Sequence, residues 1–403
     1  MSHTAFVSIE SDSAIAAAGD ATVTHPVAAT NDSGSPATTF TLEVDRQGNG
    51  QWQKLQSVKV PANGHVAHIL PSNLDATWLR FRTNQDVIAT AFLHQTTRRF
   101  VDGSEPSNLS LFAGLADAGD AKVRGAHLYA AKRNRNLRII TDDDRYLEFT
   151  KAEFEFKVDV PDPKLKTLLE VKPDFTVDDA SVVLQTGSKT LRLPKGDAVF
   201  DHPFATGWPR ASREVESERH LANIHGTFYE VPLITNGAPP AWHQMRPVSS
   251  HSKQITDFCT WNGLLVLAGV RSDAHNDGHV FADAKAKAAL WFGGIDDLWK
   301  LGKPVGQGGP WHQTEVHAGE ASDAYLMTGY DRKSVVISQE SAYVVSITLE
   351  VDINGDGFWV PYRRFDVPPN GQLEHEFPEA FSASWVRAVS DLNTTATVQF
   401  SYR

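Results

Sequence analysis

The sequence predicts a mainly β fold. A central β-propeller-like domain of about five blades is bracketed by two homologous Ig-like β-sandwich modules. Three observations lead there. A segment of 40 residues occurs twice, short alternating runs surround it, and the unrepeated centre is built from strand–turn–strand units with hardly any helical periodicity. Residues 41–80 and 348–387 align at a constant offset of 307 without a gap, and 17 of the 40 positions are identical. The shared residues include Trp52 and Trp359, Pro61 and Pro368, Gly64 and Gly371, His68 and His375, and Trp78 and Trp385.

The first 100 residues alternate apolar and polar positions in about seven short runs, among them TFTLEVD, LQSVKVP and TWLRFRT. Asn, Asp, Gly and Ser mark the breaks. Seven short strands in 100 residues suit an Ig-like sandwich (1–100). DRQGNGQW and its counterpart DINGDGFW lie between two strand patterns and read as hairpin loops whose glycines supply positive φ. The repeated tryptophans then fill the space between sheets. Residues 101–333 form the centre, with units such as ASVVLQTGSKTLRL and NGLLVLAGVRSD; at ~45 residues per blade it holds about five. The longest helical candidate there, DDLWKLG, spans two turns at most. The second module begins near Lys333, with almost no linker, and occupies 334–403.

Composition excludes several classes. With 41% hydrophobic and 22% charged residues, the chain buries several cores and is not disordered. A net charge of -11 and the lack of a long basic tract argue against nucleic acid: AKRNRNLR at 131–138 is followed at once by Asp142, Asp143 and Asp144. No apolar run approaches the ~18–20 residues of a membrane span. The N-terminus shows neither the basic nor the apolar region of a signal peptide. Cys259, the single cysteine, allows no internal disulfide and reads as a small buried hydrophobe.

The most site-like stretch is ALWFGGIDDLWKLGKPVGQGGPWHQ. Trp291, Trp299 and Trp311 offer flat faces for a sugar, and Asp296 and Asp297 offer carboxylates. The competing reading is a Trp-rich core with Asp capping a short helical turn. In 209–232, strand alternation places Asn223, His225, Thr227 and Tyr229 on one face, near Arg213 and Arg219. Such a set abstracts a proton beside a carboxylate neutralised by arginine, the logic of a lyase acting on uronates. Arg246, His251 and Asp257 precede an apolar strand, and Asp257 with Asp296 or Asp297 would supply the paired carboxylates of a glycosidase. His275, Asp277 and His279 cluster without ligand spacing and read as a solvated loop. Asp352, Asn354 and Asp356 in DINGDG match part of a calcium loop, but Arg363 occupies the position of the last ligand. A hairpin turn is favoured over calcium, and no other cofactor is indicated.

The segments ANIHGTFYEVP, ITDFCTWNGLLVLAGV, ALWFGGIDDLWKLGKP and DAYLMTGYDRK resemble bacterial polysaccharide-degrading β-propeller proteins that carry flanking sandwich domains. The resemblance covers about 209–333 and implies a polysaccharide or oligosaccharide ligand and an extracellular or periplasmic setting, with the cytoplasm left open; it transfers no catalytic residue. The leading expectation is a lyase or glycoside hydrolase whose site lies in the centre. The alternative is a non-catalytic carbohydrate- or protein-binding or assembly protein; oligomeric state is left open.

Overall fold

In the first module, alternation becomes a four-stranded antiparallel sheet whose spatial order is His3–Ser8, Trp78–Thr83, Thr38–Asp45, Gln53–Val60. A three-stranded sheet, His65–Leu70, His25–Asn31 and Ala89–Leu93, accompanies it. Phe40, Leu42, Val44, Val58, Leu79 and Phe81 point to one buried face, as a period of two requires. The computed structural model describes residues 3–8, 25–31, 37–60, 65–70, 74, 76–83, 85 and 89–93 of this region. From 111 to 403 it describes all but 130–134, 170, 172–174, 188, 216–218, 234–239, 276–277, 284, 286 and 379–380. The chain packs as two units: residues 1–106 with 150–155, and residues 107–149 with 156–403.

The second copy repeats the strand order of the first. Trp385–Ser390, Val345–Asp352 and Trp359–Val367 are neighbours in one sheet, and Thr394–Tyr402, Lys333–Gln339 and Gln372–Glu376 in the other. Even the irregularities coincide: a bulge falls between Leu42 and Glu43 and again between Leu349 and Glu350, 307 residues on. Register explains why these residues recur. Glu43 is paired across the sheet with Arg80, as Glu350 is with Arg387. The arginines form ion pairs of 2.6 and 2.7 Å with these glutamates. Each guanidinium also covers a tryptophan, Trp52 at 4.1 Å or Trp359 at 4.5 Å from the ring centre.

The hairpin loops are held by an aspartate. Asp45 accepts backbone N–H groups of Gln47, Asn49 and Gly50; buried Asp352 accepts those of Gly355, Asp356 and Gly357. The loop glycines at 48, 50, 355 and 357 all have positive φ. Asp352 thus spends its carboxylate on its own turn, and among the described residues no three His, Cys, Asp or Glu side chains gather as a metal set. The turn of Asp352, Asn354 and Asp356 is a hairpin held by its own first aspartate.

Between the copies in sequence, the described residues form three four-stranded antiparallel sheets. They comprise residues 126–161, residues 212–250, and residues 257–293, the last with its final two strands exchanged in spatial order. The strands Thr176–Val177, Val182–Thr186 and Lys189–Leu193 do not stand alone. Through Ala324–Leu326, which runs parallel to Lys189–Leu193, they extend the second copy's sheet to seven strands. The 212–250 sheet is buried on both faces. Leu221, Phe228 and Val248 join one core with the 257–293 sheet, while Ala222, Tyr229 and Val231 join another with the second copy. No helix among the described residues is long and apolar enough to cross a membrane.

Arg387→Ala removes both a partly buried ion pair and the cover over Trp359. It is expected to lower unfolding free energy by about 1–3 kcal/mol, with Arg387→Lys recovering less than half because lysine lacks the planar fork. Urea denaturation followed by tryptophan fluorescence measures this; a loss under about 0.5 kcal/mol would place the pair with ordinary surface salt bridges.

Candidate functional site

His225 does not lie within a strand. Ile224 pairs with Thr227, so His225 and Gly226 are the two residues of a tight turn, with φ of 52° and 76°. The next sheet makes the same turn with Asn262 and Gly263, the usual choice for two positive φ values. This corrects the one-face reading of Asn223, His225, Thr227 and Tyr229. Asn223 sits opposite Phe228, and Ala222 opposite Tyr229, so Asn223 and Tyr229 fall on different faces. Tyr229 is buried in the core, where burial pushes its hydroxyl pKa far up.

Both nitrogens of His225 are committed. Nδ1 accepts the Gly196 N–H at 2.9 Å, which assigns the proton to Nε2, and Nε2–H donates to Asp201 Oδ1 at 2.8 Å. Burial lowers its pKa against the opposing pull of Asp201. His251 is likewise neutral: Nδ1 accepts the Lys253 N–H and Nε2–H donates to Asn223 Oδ1 at 3.0 Å. Part of the residue reaches the surface, but its ring is walled by Phe200 and Phe228, and burial drives its pKa down to about 3. The slot beside His225, walled by Phe200, Phe204 and Trp208, has a volume of about 10 Å³. That is one water's worth, far below a sugar ring.

Asp257 is wholly buried. It accepts N–H groups from Leu128 at 2.9 Å, Phe258 at 2.7 Å and the Arg210 Nε at 2.8 Å, with Arg213 at 3.6 Å. Burial alone would raise its carboxyl pKa; Arg213 foremost, with Arg210 and the hydrogen bonds, holds it below the ordinary range. Arg213 also donates to the carbonyls of Phe258 and Leu128. His127 Nδ1 stands 3.8 Å from Asp257 Oδ2. Its neighbour Asp142 shares a confined spot with Thr206, where a side chain at Gly125 would meet both. Burial raises the Asp142 pKa to about 6, although His127 and Lys166 oppose it.

The remaining sequence candidates lie elsewhere. Asp297 caps the turn Ile295–Lys300 through the Gly294 N–H and pairs with Lys300, whereas Asp296 and Trp299 are exposed on that turn. Trp291 is a core residue donating to the Leu111 carbonyl, and Trp311 is buried in the strand Gly306–Val316. His279 stacks on Trp291, while Asp277 lies outside the described residues. Arg219 begins the strand Arg219–Ile224; its side chain lies outside the described set. The described ones among these residues do not converge.

A different concavity, of about 470 Å³, falls in the range of ligand pockets. Arg246 is its one sequence candidate from the centre. Its exposed guanidinium pairs with Glu230 at 2.5 and 2.9 Å. Gln244, Thr328, Asn354 and Ser384 supply amides and hydroxyls; half-buried Pro232 and Leu233 supply apolar surface, with Val231 and Met245 buried behind them. The second copy's hairpin loop is seated here by two contacts. Trp385 Nε1–H donates to the His243 carbonyl at 2.6 Å, and a Cβ at Gly355 would lie 2.5 Å from that oxygen. Sequence reasoning missed Glu230, Gln244, Thr328 and Ser384. The one available signal was divergence between copies, since Asn354 and Ser384 replace Gln47 and Thr77.

No family model and no curated protein matches this chain. Among solved structures it is similar to a glycoside hydrolase family 32 protein from Bifidobacterium adolescentis, at 8% identity over 98% of this chain and 99% of that one, with a TM-score of 0.22. It is also similar to a glycoside hydrolase family 43 arabinoxylan arabinofuranohydrolase from Bacillus subtilis. There the identity is 10% over 70% of this chain and 96% of that one, with a TM-score of 0.16. At such TM-scores neither likeness carries an argument about fold or chemistry.

Asp142→Asn removes a group whose folded pKa is raised. Its favourable contribution is present below about pH 4 and is lost as pH rises through about 6, so the wild type gives up at most about 3 kcal/mol over that interval. The variant is expected to be more stable than wild type at neutral pH and to lack this part of the slope. Urea denaturation across that range checks it; parallel curves would show an ordinary carboxylate.

Proposed function

We propose that this protein binds carbohydrate in the 470 Å³ groove bounded by Glu230, Gln244, Arg246 and Asn354. The observation that carries this reading is the groove's chemistry. Amides, hydroxyls and a pre-paired carboxylate–guanidinium set suit the hydroxyls of a neutral sugar, and the exposed parts of Pro232 and Leu233 suit its C–H face. The module at 1–100 and the module at 334–403 are read as Ig-like sandwiches, and the sheets of 101–333 as blades of a propeller-like domain. The setting follows the ligand: an extracellular or periplasmic protein meeting polysaccharide.

The groove favours binding over hydrolysis. Glycoside hydrolysis uses two carboxyl groups ~5–9.5 Å apart. Among the described residues lining the groove there is one, Glu230, and Arg246 already holds it. Gln244→Ala with Asn354→Ala is expected to weaken binding of a neutral polysaccharide about tenfold while leaving thermal stability intact. Affinity electrophoresis through gels of xylan, β-glucan or arabinan measures it; unretarded wild type in every gel would sink the reading.

A second reading, glycoside hydrolysis, has one observation in its favour. Asp142, beside His127, has the raised pKa that a general acid needs, whereas Asp257 is wholly buried and out of a substrate's reach. Assaying new reducing ends from the same polysaccharides decides it. Turnover that Asp142→Asn abolishes supports hydrolysis, and the absence of turnover by a wild type that binds leaves binding alone.

A further inference from the structure

One face of the 126–161 sheet carries a cross-strand row whose residues lie directly opposite one another: Tyr129, Arg138, Glu148 and Lys157. Register places all four side chains on the same side of the sheet. Arg138 lies over the ring of Tyr129, which is 46% exposed. Arg135 stands beside the row, exposed, and its backbone is fixed because its carbonyl accepts Trp261 Nε1–H at 2.8 Å. Together with Asn136 and Glu148, the two arginines line a surface concavity of about 320 Å³.

The charge balance of this face is unusual for a chain of net charge -11. Its acid, Glu148, is already engaged by Asn136 at 2.9 Å and by the Tyr146 hydroxyl at 2.6 Å. Arg138, directly opposite Glu148, helps hold that carboxyl's pKa down, but within the described residues neither Arg135 nor Arg138 closes a salt bridge. Two neighbouring guanidiniums repel each other, and an anion between them relieves that cost.

We propose that this face binds the carboxylate or sulfate groups of an acidic polysaccharide, with Arg135 and Arg138 holding the anion and Tyr129 stacking on an adjoining sugar ring. The charge part of the argument is independent of the groove; the choice of a saccharide as the anion's carrier rests on the carbohydrate reading above.

The test uses the full chain in affinity electrophoresis against polygalacturonate, dextran sulfate and neutral dextran. Wild type is expected to be retarded by one or both polyanions. Retardation should fall roughly tenfold in Arg135→Ala/Arg138→Ala and vanish near 0.5 M NaCl, where screening shortens to roughly 4 Å. The melting temperature confirms that the variant folds, and Gln244→Ala/Asn354→Ala should leave polyanion binding unchanged. Unchanged binding by the folded arginine variant, or no binding by wild type, overturns the proposal. Equal, arginine-dependent binding to duplex DNA or to anionic lipid vesicles also overturns it, because the face would then be a general anion surface. Loss of neutral-glycan binding in the groove variant, with polyanion binding intact, would separate the two sites.

Discussion

The buried carboxylate of Asp257 is the contact on which the centre of this protein depends. Sheets normally meet through side-chain packing, whereas here a charge takes hydrogen bonds from three segments at once. Leu128 belongs to one sheet, Arg210 leads into a second, and Phe258 belongs to the third. Thr256 adds a reciprocal pair with the backbone of Ala126. A carboxylate in such a place is tolerable because two backbone N–H groups and the Arg210 Nε–H bond it directly, while the Arg213 charge stands 3.6 Å away. Loss of either arginine would strand a charge in the interior, at a cost of about 3–5 kcal/mol. The directional bonds fix how the first strands of the three sheets stand to one another, which apolar packing alone leaves looser.

A different economy governs the duplicated module. Its recurring residues are those that a sheet with this bulge and this loop demands: a Glu–Arg pair in register, a tryptophan beneath the arginine, and an aspartate feeding its own turn. The second copy differs at the loop tip, where Arg46 and Gln51 give way to Ile353 and Phe358, both exposed, and Gln47 to Asn354. The same backbone device then serves two ends, as a closed hairpin in one copy and as one wall of a groove in the other.

This division marks what could be read in advance. The repeat was legible because each copy buries its own residues at a fixed spacing, so the constraint is local. The buried, small-hydrophobe role of Cys259 was legible for the same reason, whereas Trp291 and Trp311, offered by the sequence as faces for a sugar, are core residues instead. His225 was misassigned because alternation was carried through a turn that only the His-Gly pair betrays, and histidine at positive φ is a weak signal beside Asn-Gly. The groove was beyond reach. Glu230, Arg246, Thr328, Asn354 and Ser384 are distant in sequence and belong to no common period. Glu230 and Arg246 meet through strand register, and Asn354 and Ser384 join them where Trp385 and Gly355 fit against the carbonyl of His243.

The seven-stranded sheet has a consequence for how this chain comes apart. The strand Ala324–Leu326 bridges Lys189–Leu193 and Trp385–Ser390, so backbone hydrogen bonds cross the point near residue 333 where the sequence would place a border. Cutting there would bare the long strand edges of both fragments, which are templates for aggregation. The second copy has therefore traded autonomy for attachment. It should melt together with the centre in a single transition, while the first copy, packed as its own unit, keeps a separate one.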